Sequence, residues 1–174
     1  MTTSGAGLLS FAKLMLPLFI GASLFASAAA AQPRVIFLVR HAERAAISGH
    51  VPSDTGLSEV GRARAEALAQ ALKDAQITAI YTSEYKRTKE TAAPLAQSLG
   101  IRPEVIPGDD VRSLVKRLNA SRGNVLVVGH SNTLPQIISA LGVSARVTVA
   151  ESDYDNLLLV LPTPEPRLIR LHYR

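Results

Sequence analysis

Residues 34–44 read R-V-I-F-L-V-R-H-A-E-R, an apolar run that ends directly in charged side chains. A continuous apolar run with β-branched residues is typical of a strand that is buried on both faces of a sheet. We therefore predict a first strand over 34–39. Because ligands of open α/β sheets bind beyond the carboxyl ends of the strands, Arg40 and His41 mark one place to look for a site.

Strand-like and helix-like patterns alternate after this first strand. Short apolar runs bounded by turn residues predict further strands, over 77–82, 103–107 and 124–129. Apolar residues at three- and four-residue spacing predict four helices, from the cap Ser58 to Ala75 and over 85–99, 111–118 and 134–141. Pro94 predicts either a kink in the second helix or a helix that begins near Thr91.

The C-terminal part of the chain lacks a helical pattern. Three strand-like runs, 146–150, 156–161 and 167–173, are separated by turn residues and predict antiparallel strands at one edge. Alternating strands and helices before them predict the α/β class. The expected fold is a three-layer sandwich, a largely parallel sheet with helices on both faces and antiparallel strands at the C-terminal edge.

The first 31 residues differ in composition from the rest. A single cation, Lys13, precedes an apolar run over 14–26, and residues 29–31 form an A-x-A type cleavage site. This pattern is typical of a secretory signal peptide. We expect 1–31 to be removed and 32–174 to form one domain that is exported, periplasmic or secreted. The run is shorter than the roughly 20 residues that span a bilayer, so stable membrane insertion after cleavage is not expected; a retained anchor is the alternative.

Composition excludes several classes of protein. The chain has no cysteine, which excludes disulfides, thiol nucleophiles and thiolate metal ligands. Without the leader and its Lys13, the net charge is +4. The cations are scattered and few aromatic side chains could stack on bases, so no nucleic-acid partner is predicted. Nothing in the sequence indicates the oligomeric state.

Three predicted strand ends carry the polar residues that could form one site. Arg40, His41 and Arg44 follow the first strand, Arg87 follows the second, and His130 follows the strand over 124–129. Guanidinium groups match phosphate oxygens and stay charged at any working pH. Nearby positive charges also favour a neutral imidazole, the form that a nucleophilic histidine needs. These residues together predict a phosphoryl site.

Four blocks of sequence carry a family resemblance: R-H-A-E-R from Arg40, L-S-E-V-G-R-A-R-A from Leu57, S-E-Y-K-R-T-K-E-T-A from Ser83 and V-V-G-H-S-N-T from Val127. In this order they resemble the histidine phosphatase, or phosphoglycerate mutase-like, superfamily. The resemblance implies a phosphomonoester hydrolase in which His41 attacks phosphorus and becomes phosphorylated. It implies that Arg40, Arg87 and His130 hold the phosphate, with neither a metal nor another cofactor. The expected partner is a small phosphorylated substrate or a phosphoprotein.

The resemblance also implies a carboxylic acid that protonates the leaving oxygen. Asp110 or Asp109 is the preferred candidate, because both follow a short strand and open a helix; Glu43 is the second choice. The two aspartates could instead only complement the helix dipole. Arg44 stands where many members have threonine, and it could contact phosphate or pair with Glu43. The interval that holds Asp109 is short compared with the mutases, which favours hydrolysis over mutase activity.

The sequence is also compatible with other functions. Because the acid is uncertain, the chain could be a catalytically inactive phosphate-binding or envelope-interaction protein of the same fold. The block G-H-S-N-T partly matches the G-x-S-x-G elbow of serine esterases, but Thr133 replaces the last glycine. A metal hydrolase is disfavoured, since no H-x-x-x-H spacing is present and arginines beside the histidines would repel a cation.

Overall fold

The computed structural model describes residues 1–2, 34–46 and 54–174. The predicted signal peptide and its cleavage site therefore lie outside the described residues, apart from Met1 and Thr2. Within the described ranges, no helix combines the length and the apolar character needed to cross a membrane.

Strands and helices alternate along most of the described chain. The strands are β1 (Ile36–Arg40), β2 (Ile77–Thr82), β3 (Glu104–Val105), β4 (Asn124–Gly129), β5 (Asn156–Leu161) and β6 (Arg167–His172). The helices are α1 (Glu59–Leu72), α2 (Lys86–Leu99), α3 (Val111–Ala120) and α4 (Leu134–Ala140).

The strands form one mixed sheet in the order β3-β2-β4-β1-β5-β6. The first four strands in this order are mutually parallel, and β5 pairs antiparallel with both β1 and β6. This arrangement confirms the predicted α/β class with a largely parallel sheet and antiparallel strands at the C-terminal edge. The carboxyl ends of β1, β2 and β4 lie side by side, which is what brings distant parts of the sequence together.

Both faces of the sheet are covered. On one face Ile36 and Leu38 of β1 belong to a core that includes Leu118 of α3 and Ile137 of α4. On the other face, Phe37 and Val39 belong to a core with α1 and α2, whose members include Leu68, Leu72 and Leu95. All five residues of β1 are buried. The continuous apolar run of 34–39 thus reflects a central strand with a hydrophobic layer on each side.

Three details of the secondary structure differ from the expectations. The helix predicted over 85–99 is present as α2, but the alternative start near Thr91 is wrong, because α2 begins at Lys86 and contains Pro94. Its first turns are held because Thr88 and Thr91 are buried and their hydroxyls donate to the carbonyls of Tyr85 and Arg87. The short strand predicted over 103–107 covers only β3, since prolines at both ends of that range lack the backbone N–H that a ladder needs.

The run over 146–150 is also not a strand. Val147 and Val149 pack against the core, which explains the alternating apolar pattern. The carbonyls of this segment are instead bound by guanidinium groups: Arg170 donates to Thr148 O and Arg40 donates to Ala150 O. Because side chains satisfy these acceptors, the segment needs no neighbouring strand and passes irregularly beside the end of β1.

Candidate active site

One cleft lies beyond the carboxyl ends of β1, β2 and β4. It has a volume of about 430 Å³. Side chains that line it come from every strand end that the sequence singled out, namely Arg40, His41, Arg44, Arg87 and His130. Segments that are up to about a hundred residues apart in the chain therefore share one concave surface.

His41 is held by backbone contacts at the end of β1. Its N–H donates to Gly129 O at 3.0 Å, and its ring Nδ1 lies 2.8 Å from Ala42 O. A carbonyl oxygen only accepts hydrogen bonds, so Nδ1 carries the proton. The lone pair is therefore on Nε2. The side chain is 4% exposed, which leaves this nitrogen accessible only through the cleft.

His130 directly follows β4 and lies beside His41. The two ring centroids are 5.4 Å apart, and the rings meet edge to face. The Nε2 atom of His130 lies 3.0 Å from Ser83 Oγ, and Nδ1 lies 3.4 Å from Nη2 of Arg87. The two rings are close enough for one phosphoryl group in the cleft to contact both.

Both imidazoles are neutral at pH 7. Burial is the main cause that lowers the pKa of each from 6.5 to about 4. For His41 the hydrogen bond to Ala42 opposes this shift, whereas the charges of Arg87 and Arg40 add to it. For His130 the charge of Arg87 also lowers the pKa, and Glu84 partly opposes it. The electrostatic condition for a nucleophilic imidazole is met at both positions.

Arg40 is buried and Arg87 is half-buried, and the guanidinium of each stacks on a tyrosine ring. The guanidinium of Arg87 lies 4.2 Å from the ring centre of Tyr85, and that of Arg40 lies 4.2 Å from the ring centre of Tyr154. Such stacking holds a guanidinium plane in one orientation. The Nε atoms of both arginines are buried and have no hydrogen-bond partner among the described residues.

The central part of the cleft is included in a family match. Residues 36–110, which contain His41 and Arg87, match the sequence profile of the histidine phosphatase superfamily, branch 1. The chain belongs to the histidine phosphatase superfamily. This confirms the predicted resemblance. The match includes the first three blocks of sequence, and the fourth block, from Val127, lies beyond it.

Similar proteins agree with this family. A probable phosphatase of Schizosaccharomyces pombe is 41% identical over 75 residues, which are 40% of this chain and 34% of that protein. A 6-phosphofructo-2-kinase/fructose-2,6-bisphosphatase of Gallus gallus is 42% identical over 66 residues, 36% of this chain and 14% of that protein. The matched segments thus span about a third or less of these relatives.

Solved structures show the same fold. The protein histidine phosphatase SixA, complexed with tungstate, aligns with a TM-score of 0.65 and 18% identity over 79% of this chain and 96% of that chain. A mycobacterial glucosyl-3-phosphoglycerate phosphatase with inorganic phosphate aligns with a TM-score of 0.60 and 20% identity over 79% and 95% of the two chains. At these identities the likeness concerns the fold.

In this histidine phosphatase, Arg40 is bound by its own chain. It donates from Nη1 to Ala150 O at 3.1 Å and to the carbonyl of Glu151, and its Nη2 lies 2.6 Å from Oε2 of Glu151. The second carboxylate oxygen of Glu151 accepts from Ser131 Oγ. Arg40 is therefore held in place by the segment around Glu151, and Arg87 is the guanidinium with fewer protein contacts.

The predicted acids occupy different places. The carboxylate of Asp110 caps α3 by accepting from Ser113 N at 3.0 Å, and these hydrogen bonds lower its pKa. Asp109 lines the cleft. Glu43 is bound by Arg64 through contacts of 2.7–2.9 Å. Burial raises the pKa of Glu43, but the hydrogen bonds from Arg64 outweigh it and keep the pKa below the usual value.

The predicted alternative that Arg44 pairs with Glu43 is wrong, because Glu43 pairs with Arg64 on α1. The exposed side chain of Arg44 lines the cleft instead. It is placed there by a short bridge between Arg44 and Leu57 and by the bond from Ser58 N to Glu43 O, which join the loop to the start of α1.

Sequence reasoning missed two carboxylates of the cleft. Glu84 accepts from Gly108 N at 2.8 Å, and Glu151 bridges Arg40 and Ser131. Glu84 could have been found, because it stands in the same block as Arg87. Nothing in the sequence indicates Glu151, since it lies 111 positions from Arg40 in a segment without a motif.

Proposed function

We propose that this histidine phosphatase is a phosphomonoester hydrolase in which Nε2 of His41 forms a covalent phosphohistidine. One observation carries the proposal: the bond from Nδ1–H of His41 to Ala42 O leaves Nε2 with a lone pair inside a cleft rich in guanidinium groups. A fixed neutral imidazole at this position is a ready nucleophile.

The surrounding charges suit an anionic substrate. Arg87, Arg44 and Arg40 line the cleft and can stabilise the oxygens on which negative charge is spread during phosphoryl transfer. The family supports phosphatase activity, as do relatives described as phosphatases. Because the chain spans only 14% to 34% of the curated relatives it matches, their activities support the proposal without defining the substrate.

Rapid quenching during turnover tests the covalent step. The wild-type protein should carry acid-labile, base-stable phosphate, and His41→Ala should carry none and lose hydrolysis. His172→Ala is the matched control, since His172 is a largely exposed histidine that contacts Asp155 at 3.1 Å, away from the cleft. Label on serine or threonine, or label that persists in His41→Ala, would contradict the proposal.

An aryl phosphate with a good leaving group separates this proposal from a binding protein without turnover. Such an ester hardly needs protonation of its leaving oxygen, so an intact His41 should release the phenolate even if the acid is weak. Binding of vanadate without any release would favour the inactive phosphate-binding or envelope-interaction protein. We also propose metal independence, with full activity expected in EDTA; loss of activity that zinc restores would overturn it.

We further propose that the mature domain acts outside the cytoplasm on a small phosphorylated compound or a phosphoprotein. The proposal of export rests on the leader-like pattern of 1–31. N-terminal sequencing of the exported protein should begin at Gln32, whereas a retained Met1 in membranes would support an anchor.

A further inference from the structure

A chain of buried hydroxyls leads away from His130. Nε2 of His130 lies 3.0 Å from Ser83 Oγ, which lies 2.9 Å from Thr88 Oγ1. Thr88 Oγ1 in turn lies 2.8 Å from Tyr85 O and 3.1 Å from Ser83 O. Ser83 is 4% exposed and Thr88 is 0% exposed, so water does not compete for these contacts.

The carbonyl oxygens at the end of this series of contacts determine the direction of every hydrogen bond in it. The carbonyls of Tyr85 and Ser83 can only accept, so the single hydroxyl proton of Thr88 points to them. Thr88 Oγ1 must then accept from Ser83. Ser83 has donated its only proton and must itself accept from His130. The proton of the neutral imidazole therefore lies on Nε2.

A second contact leads independently to the same tautomer. Nη2 of Arg87 lies 3.4 Å from Nδ1 of His130. A guanidinium has donors and no acceptor. It can approach Nδ1 in this way only if that nitrogen carries a lone pair. His130 therefore presents a proton acceptor on the side of Arg87, in the cleft.

We propose that Ser83 and Thr88 are positioning residues that hold His130 as a proton acceptor at Nδ1, so that the enzyme takes the monoanionic, singly protonated form of a phosphate ester. This inference rests on the proposed hydrolase function and adds the protonation state of its substrate. A fully ionised phosphoryl oxygen would meet the lone pair of Nδ1 and be repelled. The P–OH group of a monoanion can donate to this lone pair in place of Arg87 Nη2, whose contact of 3.4 Å is long for a hydrogen bond.

The charges that face His130 favour its neutral form. Arg87 of α2, Arg40 and His41 at the end of β1, and Arg44 in the following loop lie on the side of the cleft. Glu84, Asp109 and Glu151 are the acidic groups of the surrounding loops. Burial and the arginines lower the pKa of His130 to about 4, below the second pKa of about 6 of a typical phosphate ester. Between these two pKa values an ester monoanion therefore meets a neutral His130.

This arrangement also supplies a proton for the leaving oxygen. As the bond from His41 Nε2 to phosphorus forms and the ester P–O bond breaks, the proton of the monoanion passes through His130 Nδ1 to the leaving oxygen, and an alcohol departs. Water then forms a new P–O bond while the N–P bond breaks, and His130 passes one proton of that water to a phosphoryl oxygen. The cycle converts a monoanionic ester and water into an alcohol and monoanionic phosphate, with both imidazoles neutral again.

Nitrogen NMR of histidine-labelled protein tests the tautomer without turnover. At pH 7 the wild type should show His130 protonated on Nε2 and bare on Nδ1. Thr88→Val removes the acceptor of Ser83, whose proton then turns to Nε2, so the population of the Nε2–H tautomer should fall even though Arg87 at Nδ1 still favours it. Thr88→Ser should restore the wild-type spectrum. Thr82→Val is the matched control, because the buried Thr82 hydroxyl has no hydrogen-bond partner within the described residues. A wild-type His130 protonated on Nδ1 would overturn the inference.

The pH dependence of kcat/KM tests the consequence for the substrate. Above the second pKa of the ester, kcat/KM should fall about tenfold per pH unit, as the monoanion does. The fall should begin at lower pH for a nitro-substituted aryl phosphate than for an alkyl phosphate, and it should flatten in Thr88→Val. A fall at the same pH for both esters, unchanged in Thr88→Val, would contradict the inference.

Binding of inorganic phosphate separates the two proposals. Affinity should weaken as pH rises through the second pKa of phosphate, whether or not phosphohistidine forms. Protein that shows this dependence and the Nε2–H tautomer, yet traps no label on His41, would overturn the hydrolase function alone. Turnover with no preference for the monoanion would overturn this inference alone.

Discussion

Two imidazoles lie edge to face in the cleft, and their exposed nitrogens differ because their partners differ. The carbonyl of Ala42 keeps the proton of His41 on Nδ1, whereas the hydroxyl of Ser83 keeps that of His130 on Nε2. One ring therefore presents Nε2 and the other presents Nδ1. The same residue type can serve as nucleophile at one position and as proton acceptor at the other.

Arg87 allows a test of guanidinium geometry at the residue scale. Arg87→Lys keeps the positive charge but loses the planar fork that stacks on Tyr85 and approaches His130. We expect kcat/KM to fall roughly 10- to 100-fold, the cost of charge-assisted hydrogen bonds, and the affinity for vanadate to fall with it. Arg112→Lys on the exposed side of α3 is the control and should leave both values unchanged. Equal behaviour of the two variants would show that Arg87 does not contact the anion.

Substitutions of Asp110 can distinguish its predicted role as leaving-group acid from its role as the cap of α3. Asp110→Asn keeps an oxygen that accepts from Ser113 N, so stability and hydrolysis of an alkyl phosphate should both be retained. Asp110→Ala removes the cap and should lower the urea midpoint slightly while activity per folded molecule stays the same. Loss of alkyl phosphate hydrolysis in Asp110→Asn would instead identify Asp110 as the leaving-group acid.

At the element scale, the start of α1 supports the loop that carries Arg44. The N–H of Ser58 donates to Glu43 O at 2.9 Å, and Arg64 of α1 binds the Glu43 carboxylate. A Cβ atom on Gly61 would lie 2.2 Å from Glu43 O. Only glycine allows this close approach, so α1 and the loop after β1 pack as one unit.

Gly61→Ala should push the loop after β1 away from α1. The added methyl group must push the Glu43 backbone away, and overpacking of this kind costs about 1–3 kcal/mol of the free energy of unfolding. Urea unfolding measures this loss, and kcat/KM should fall because Arg44 and His41 move with the loop. The neighbouring exposed Val60 provides the control, since Val60→Ala should change stability by less than about 0.5 kcal/mol. A Gly61→Ala protein as stable as Val60→Ala would refute the packing argument.

At the scale of the whole molecule, burial of two neutral histidines makes stability depend on pH. Each has a pKa of about 4 in the folded protein against an ordinary 6.5. Between these values the unfolded chain binds more protons than the folded protein. The stabilisation is therefore complete above pH 6.5 and is lost as the pH falls towards 4.

Urea unfolding between pH 6.5 and 4.5 measures this effect before most carboxylates titrate. The wild-type free energy of unfolding should fall on acidification, by an amount on the order of 2 kcal/mol for each histidine. The double variant His41→Asn with His130→Asn should show a much flatter dependence, whatever its absolute stability. Parallel curves for the two proteins would mean that other groups cause the loss.

The sequence by itself determined the class of the fold and the histidines and arginines that line the cleft. The run over 34–39 predicts a doubly covered central strand, and histidines and arginines directly after apolar runs predict a shared site, because parallel strands end at one edge of a sheet. These are local properties, since period, caps and strand ends depend on neighbouring residues. Local sequence did not determine the role of Asp110, because a position at a helix start is compatible with a leaving-group acid and with a residue that only stabilises the helix.

Only the tertiary structure decided which atoms face each other. It paired Glu43 with Arg64, brought Glu151 to Arg40 from 111 positions away and linked Ser83 and Thr88 to His130. It also showed that 146–150, with its strand-like alternation, is held by guanidinium donors in place of a sheet partner. Such contacts depend on side-chain directions in space, which carry no periodic signal along the chain, and they determine the tautomer and charge of each imidazole.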